Sequence, residues 1–420
     1  MFSYDLVILV AVVFFFLYLP RIYAWFASFK PQQKLVNDKK NKIALFIPAR
    51  NEGKAILPLL ESLKKQTYDK SRFDIFIVVK ESDDPVIEYG KSYGAEVFVD
   101  TAQKCKGDCL DFGFNKIIHK YPGKYDGFLI VDADCVLYPD FVEQMNNAMA
   151  SGAEVINGKK IVGNYFLNNG KNSNFITASN GLIWTLMDDM GNRWKSEHGL
   201  TTMTVTTGIL ISSRLVEKWD GWIYKKTLTE DMELQRDCSL QEYKTFYYSY
   251  AKFFMQEATS VEETDKRRTR WMTGLTHADF IYAPQMIKKI SFHSIVDNYY
   301  MYCLWIVYLF IAANIVISLA DVGMFAFTFF AHGVLLWSVL GAAGLALLNT
   351  YLAFFVMTFV ALVVARHDIK LSFFEKVIVL FYHPIFYMKY IPIVANAIVD
   401  RRPQVWDEIE RVDNCEQIVK

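Results

Sequence analysis

Two aspartates one residue apart, Asp132 and Asp134, follow the uncharged run Phe128-Leu129-Ile130-Val131. Carboxylates leaving the end of a buried strand form a compact anionic mouth that can hold a divalent cation against a diphosphate. The plain alternative is the start of a loop, since Asp is a common turn residue. The spacing to Glu143 mimics the outer positions of an EF-hand loop, but Val136 and Leu137 stand where that loop needs a ligand and a glycine. Farther on, Thr229-Glu230-Asp231 opens a predicted helix. Acidic residues there can merely complement the helix dipole, or Asp231 can act as a general base toward an acceptor hydroxyl. The run Lys266-Arg267-Arg268-Thr269-Arg270-Trp271 reads either as a basic patch for anionic headgroups or as a clamp. A guanidinium can neutralise a diphosphate leaving group and an indole can wall an acceptor. The tryptophan inside the run favours the clamp.

These groups need a scaffold, and residues 43–265 alternate strand-like and helix-like patterns, which predicts a three-layer α/β domain with a mostly parallel sheet. Strands are predicted at 42–47, 73–79, 96–99 and 127–131, and helices at 55–66, 86–93 and 110–121. In open α/β sheets, ligands bind beyond the carboxyl ends of strands. Ala49, Arg50, Asn51 and Glu52, the stretch from Glu81 to Asp84, and the aspartate pair all fall there. The asparagine-rich stretch 164–174 is predicted to be a surface loop and 187–207 a mobile one.

The chain of 420 residues is 53% hydrophobic with 45 basic and 45 acidic residues, and the apolar excess is concentrated at its two ends. Residues 1–29 read as an N-terminal membrane anchor, because the stretch is long and has neither a basic start nor a small-residue cleavage site. Lys30, Lys34, Lys39, Lys40 and Lys42 follow, with only Asp38 against them. By the positive-inside rule, the domain at 42–290 faces the cytosol. Three or four further membrane helices are expected within 297–399, with a possible turn at Gly341-Ala342-Ala343-Gly344 and kinks or breaks at Pro384 and Pro392. Arg401 and Arg402 place the tail 400–420 in the cytosol, which requires an even number of C-terminal spans and so favours four. Trp305, Tyr308 and Trp337 could stack on sugar faces or anchor at the interface.

The balanced charge offers no nucleic-acid footprint. The six cysteines lack metal-type spacing and are expected to be mostly reduced thiols; the seven histidines are scattered. Gly158-Lys159-Lys160 lacks the P-loop pattern.

Taken in order, the anchor, Ile47-Pro48-Ala49-Arg50-Asn51-Glu52, Lys106-Gly107, Asp132-Ala133-Asp134, Thr229-Glu230-Asp231, Arg267 to Trp271 and the terminal helices resemble the membrane-embedded family 2 glycosyltransferases: the cellulose, chitin, hyaluronan and poly-N-acetylglucosamine synthases. The resemblance implies a GT-A fold and inverting transfer from a UDP-sugar. Asp134, helped by Asp132, would hold Mg²⁺ or Mn²⁺ on the diphosphate, and Asp231 would be the base. Ala49, Arg50, Asn51, Glu52, Lys106, Arg267 and Arg270 would lie on the donor side, with Glu230 and Trp271 toward the acceptor. Either Glu81 or Asp84 would replace the aspartate pair that contacts uracil. Arg267 departs from the pattern, standing where the Gln-x-x-Arg-Trp motif has glutamine. The expected product is a growing polysaccharide made from UDP-glucose or UDP-N-acetylglucosamine and coupled to export. Single-sugar transfer to a lipid acceptor is the alternative, and a transporter or scaffold is the non-enzymatic one.

Overall fold

The computed structural model describes residues 2–164, 174–289, 291–332 and 336–399. The asparagine-rich stretch therefore falls almost wholly outside the described residues, as do Arg401, Arg402, Cys415 and the side chain of Trp337.

An eight-stranded sheet forms the centre of the domain, in the order β3-β2-β1-β4-β7-β6-β8-β5. The strands β1 (Ile43–Pro48), β2 (Phe73–Val79), β3 (Glu96–Val99) and β4 (Gly127–Ile130) are mutually parallel. β1 and β4, at the centre of this half, read as unbroken apolar runs because both faces are covered, and Ile43, Leu45, Phe46, Ile47, Phe128 and Leu129 are buried. The strand β7 (Ile209–Ser212) runs antiparallel to β4 and to β6 (Val155–Val162). Beyond β6 lie β8 (Thr245–Met255), parallel to it, and the short antiparallel β5 (Val136–Leu137). The mostly parallel expectation thus holds for one half of the sheet, while the other half is mixed.

The connecting helices differ from expectation mainly at their starts. The predicted helix at 110–121 is α4 (Lys106–Lys120), four residues longer at its N-terminus. Cys105 and Asp108 form a reciprocal capping box there, a role cysteine rarely advertises. The stretch expected to be mobile is ordered and largely buried. Asp188–Asn192 make a π-helical turn and α7 (Arg193–Glu197) follows. Thr201, Thr202, Thr204, Thr206 and Thr207 are buried. Hydroxyls and amides in this loop find partners across the fold, such as Thr202 N on Thr245 Oγ1 at 2.7 Å.

Two long helices carry the site's flank: α9 (Glu230–Gln241) and α10 (Val261–Lys288). On the other side stand α1 (Phe2–Trp25), α11 (Phe292–His332) and α12 (Leu336–Val364). Among the described residues, four stretches are long and apolar enough to cross a membrane: Tyr4–Phe29, Phe292–Met324, Ala343–Val364 and Phe373–Val399. Three of them are C-terminal. Gly341 and Gly344 lie inside α12 and make no turn. A Cβ on Gly341 would sit 2.0 Å from the Tyr4 hydroxyl, so that glycine serves close helix packing.

The last stretch comprises α13 (Phe373–Met388) and α14 (Tyr390–Val399). The break falls at Lys389, and Pro392 sits in the first turn of α14, where its missing N–H is harmless. Both ends of α13 touch the α/β domain. Asp368 just before it pairs with Lys159 of β6 at 2.7 Å, and Lys389 just after it reaches Asp265 of α10 at 3.4 Å. Buried Arg268 of α10 stacks on Phe386 and Tyr390, 4.0 and 4.1 Å from their ring centroids. One face of α13, with Phe374, Ile378, Phe381 and Ile385, remains exposed.

Candidate active site

A cavity of about 920 Å³ opens beyond the carboxyl ends of β1 and β4 and continues between the membrane-type helices. The segment after β1 brings Ala49, Arg50, Asn51 and Glu52 to its wall. Asn51 adopts a left-handed conformation (φ 56°), which turns the chain sharply toward Gly53. Asp132 and Asp134 line the same wall. Lys106, the first residue of α4, donates to Asp132 Oδ1 at 2.5 Å and to the Thr206 carbonyl at 2.7 Å. The Asp132 amide is in turn held by Thr207 Oγ1 at 3.0 Å. Gly208, at φ +61°, lets this threonine loop pass beneath the pair, since a Cβ would meet the Phe253 ring at 2.1 Å.

On the facing wall, Thr229 precedes α9 as predicted, and Glu230 and Asp231 occupy its first turn. Glu230 is buried and accepts a hydrogen bond from Thr206 Oγ1 at 2.5 Å. Asp231 Oδ1 accepts from the Met232 amide at 2.8 Å. Burial, and then the adjacent Glu230 carboxylate, push the Asp231 pKa up to about 7, against the opposing pull of Lys106, the Met232 amide and Arg270. A carboxyl tuned to neutral pH and facing a cleft suits general-base work.

Arg267, Arg270 and Trp271 come from α10 and line the cavity too. Their approach to Asp231 depends on Gly274, because a Cβ there would lie 2.3 Å from Thr229 Cγ2. Arg267 is anchored by carboxylates: Nη2 donates to Glu263 at 2.7 Å and Nη1 stands 3.9 Å from buried Glu257. Burial raises the Glu257 pKa, and Arg267 offsets that. Glu257 also accepts the indole N–H of Trp184, whose ring meets Trp271 edge-on at 5.6 Å. Arg267 is thus connected, through Glu257 and Trp184, to the Trp271 ring. Trp184 and Glu257 lie far apart in the sequence and carry no motif, so only the packing identifies them.

Most of the predicted residues thus converge on one cavity. Glu81 and Asp84 do not line it; the Asp84 side chain caps the turn into α3 (Val86–Ser92) through the Val86 amide at 2.9 Å. Trp305 and Tyr308 do line it, with the Trp305 indole donating to Asp279 at 2.8 Å. The five described cysteines are free thiols.

An open α/β sheet with carboxylates beyond its strand ends, joined to long apolar helices, defines a membrane-type enzyme of the GT-A class. A family profile described as "Glycosyltransferase like family 2" matches residues 40–274. More than half the chain is covered, and the protein belongs to that family. It is 25% identical over 287 residues to the "Probable glycosyltransferase YdaM" of Bacillus subtilis, an alignment covering 64% of this chain and 63% of that one. Among solved structures it is similar to the mannosyltransferase PcManGT from Pyrobaculum calidifontis, determined with GDP-Man and Mn²⁺. The TM-score is 0.59 at 16% identity, covering 87% of this chain and 98% of that one, which supports the fold.

Proposed function

We propose that the enzyme transfers a glycosyl unit from a nucleotide sugar, UDP-glucose or UDP-N-acetylglucosamine first, to a hydroxyl of a membrane-associated glycan, with inversion at the anomeric carbon. The observation that carries this reading is Asp231, with its pKa near 7, facing Asp132, Asp134 and Arg270 across a cavity that runs on between apolar helices.

Asp231 takes the acceptor proton as the hydroxyl oxygen forms its bond to the anomeric carbon and the bond to the diphosphate breaks. Arg270 meets the charge that appears on the leaving nucleotide. Trp271 walls the acceptor side. Lys106 orients Asp132 and adds positive charge beside the diphosphate. Asp132 and Asp134 suit Mg²⁺ or Mn²⁺ because their donors are hard oxygens on the wall of the cavity. Two carboxylates with the remaining positions left to phosphate oxygens is how such ions are bound with nucleotides. When bound, the ion neutralises the departing diphosphate.

The contacts of residues 368–390 with the domain support a reading of its orientation. We infer that α1, α11 and α12 cross the bilayer, whereas α13 and α14 lie along its cytosolic face, tied at both ends to the domain. Two C-terminal crossings preserve the even parity required by Arg401 and Arg402, and α13 is too short to span. The apolar stripe on α13 faces lipid.

The test incubates full-length enzyme with UDP-glucose, UDP-N-acetylglucosamine and GDP-mannose in Mg²⁺ or Mn²⁺, and reads nucleotide release and product length. One of the UDP-sugars is expected to be consumed with inversion. Long products indicate repeated addition, and single-sugar lipid products indicate the alternative. Release from none of the donors would overturn the proposal.

A further inference from the structure

Past Asp231 the cavity reaches a second group of charges that the transfer itself does not use. Lys195 of α7 and Arg21 of α1 both line this end, and Lys195 is only 4% exposed. Its ammonium has no hydrogen-bond or ion-pair partner among the described residues. The carboxylate in its field is Asp297 of α11, whose oxygens are already taken by the Thr201 amide at 2.8 Å and Ser239 Oγ at 2.5 Å. Arg236 of α9 is committed to Asp279 at 2.6 Å, and Cys303 of α11 also faces the lysine. Arg21 donates to the Gly191 carbonyl at 3.4 Å and meets no carboxylate among the described residues.

An ammonium buried without an ion-pair partner among the described residues is costly, and the half-buried Arg21 adds to the positive field beside it, an arrangement that an anionic ligand would complete. The burial is built, not incidental. A Cβ on Gly191, in the π-helical turn, would stand 2.9 Å from Arg21 Nη2. The helical turn around Arg21, which contains Pro20, is tied to α11: Tyr299 donates to the Leu17 carbonyl at 2.8 Å and Tyr300 to the Pro20 carbonyl at 3.0 Å. π-bulges concentrate at functional positions. Lys195 is held down to a pKa of about 7, first by burial and then by Arg21. This group is separate from the donor end, where Lys106 answers to Asp132, Glu230 and Asp231. Asp231 and Arg236 are five residues apart on α9, ~7.5 Å along a helix axis at 1.5 Å per residue. Arg236 belongs to the field around Lys195, so α9 carries the base at one end of its first two turns and faces the lysine's surroundings at the other. Tyr18, Val307 and Tyr308 continue the wall toward the membrane helices.

We propose that Lys195 and Arg21 bind a phosphate or diphosphate carried by the acceptor, so that the sugar is added to a lipid-phosphate-linked glycan whose hydrocarbon lies beside α1 and α11. The inference rests on the reading that transfer occurs in this cavity. Phosphate binding draws a proton onto Lys195, so affinity is highest below about pH 7 and falls as pH rises.

The test uses the full-length enzyme in dodecyl maltoside with its consumed donor and two matched acceptors: a dodecyl-diphosphate-linked sugar and the same sugar on a neutral dodecyl glycoside. The diphosphate acceptor is expected to show a kcat/KM at least thirtyfold higher, through KM. Lys195→Met should bring the two acceptors within threefold, whereas Lys195→Arg retains the preference. Phosphatidylglycerol added to the micelles is expected to leave the preference intact. If it instead raises the neutral acceptor to the level of the other, the pair is a bilayer-headgroup site and the assignment to the acceptor fails. Equal use of both acceptors by the unaltered enzyme, or a preference undiminished in Lys195→Met, also overturns the inference while leaving the proposed transfer standing. Absence of any nucleotide release overturns the transfer itself.

Discussion

The approach of α10 to the first turn of α9 rests on one hydrogen atom. At Gly274 a Cβ would fall 2.3 Å from Thr229 Cγ2, 2.5 Å from its Oγ1 and 2.9 Å from its Cβ. Ordinary carbon contacts need roughly 3.5–4.0 Å, so Gly274→Ala forces α10 away by on the order of 1 Å. Alanine is the better helix former by about 1 kcal/mol, so propensity alone predicts a more stable protein. Overpacking costs about 1–3 kcal/mol and opposes that gain. Stability should therefore change little or fall modestly, while activity falls more. Arg270 and Trp271 lie one turn from Gly274 and move with it, and a ~1 Å misplacement of positioned groups can cost ~10²-fold in rate. The assay compares melting temperature with nucleotide release for the glycine enzyme, Gly274→Ala and Gly274→Ala with Thr229→Gly, the second change emptying the colliding position. The expected result is a large loss of kcat in the single variant and partial recovery in the double. Full activity in Gly274→Ala would refute the reasoning.

Further outcomes follow from the charges. The base must be ionised, and its pKa is raised to about 7, so kcat/KM should climb with pH through about 7 and then level off; Glu230→Gln removes the neighbouring charge and should move that limb to lower pH. Because a raised carboxyl pKa stabilises the protonated fold, stability from this group is present at low pH and lost as pH rises through about 7, so Asp231→Asn should raise the melting temperature above pH 7 more than at pH 5. Arg267→Gln restores the motif glutamine but strips Glu257 of its cation; destabilisation of about 1–3 kcal/mol is expected, and a double-mutant cycle with Glu257→Gln should show coupling. In Asp134→Asn, Mn²⁺ titration of nucleotide release should require at least tenfold more metal than in the unaltered enzyme.

The parallel half of the sheet was legible because strands buried on both faces are continuous apolar runs, and β1, β2 and β4 fall within a residue or so of their predicted ranges. Asp132 and Asp134 were legible as cavity residues because they stand just past the end of β4. The start of α4 was not, since a cysteine does the capping, nor was the order of the threonine loop, whose partners are remote in sequence. Trp184 and Glu257 are 73 residues apart. Hydropathy identifies stretches able to cross a membrane but not where their ends return. That information sits in Lys159–Asp368 and Asp265–Lys389, pairs that no local pattern foretells. Lys195 reads in sequence as an ordinary helix cation, and only its burial without an ion-pair partner among the described residues makes it noteworthy.

The central claim is that Asp231 is the base of a glycosyl transfer in this cavity. Its most direct test is the single-turnover transfer rate of Asp231→Asn, measured beside donor affinity in the same preparation. The amide cannot take the proton, so transfer should fall by at least ~10²–10⁴-fold while nucleotide-sugar binding stays within a fewfold. Transfer within threefold of the unaltered enzyme would contradict the account.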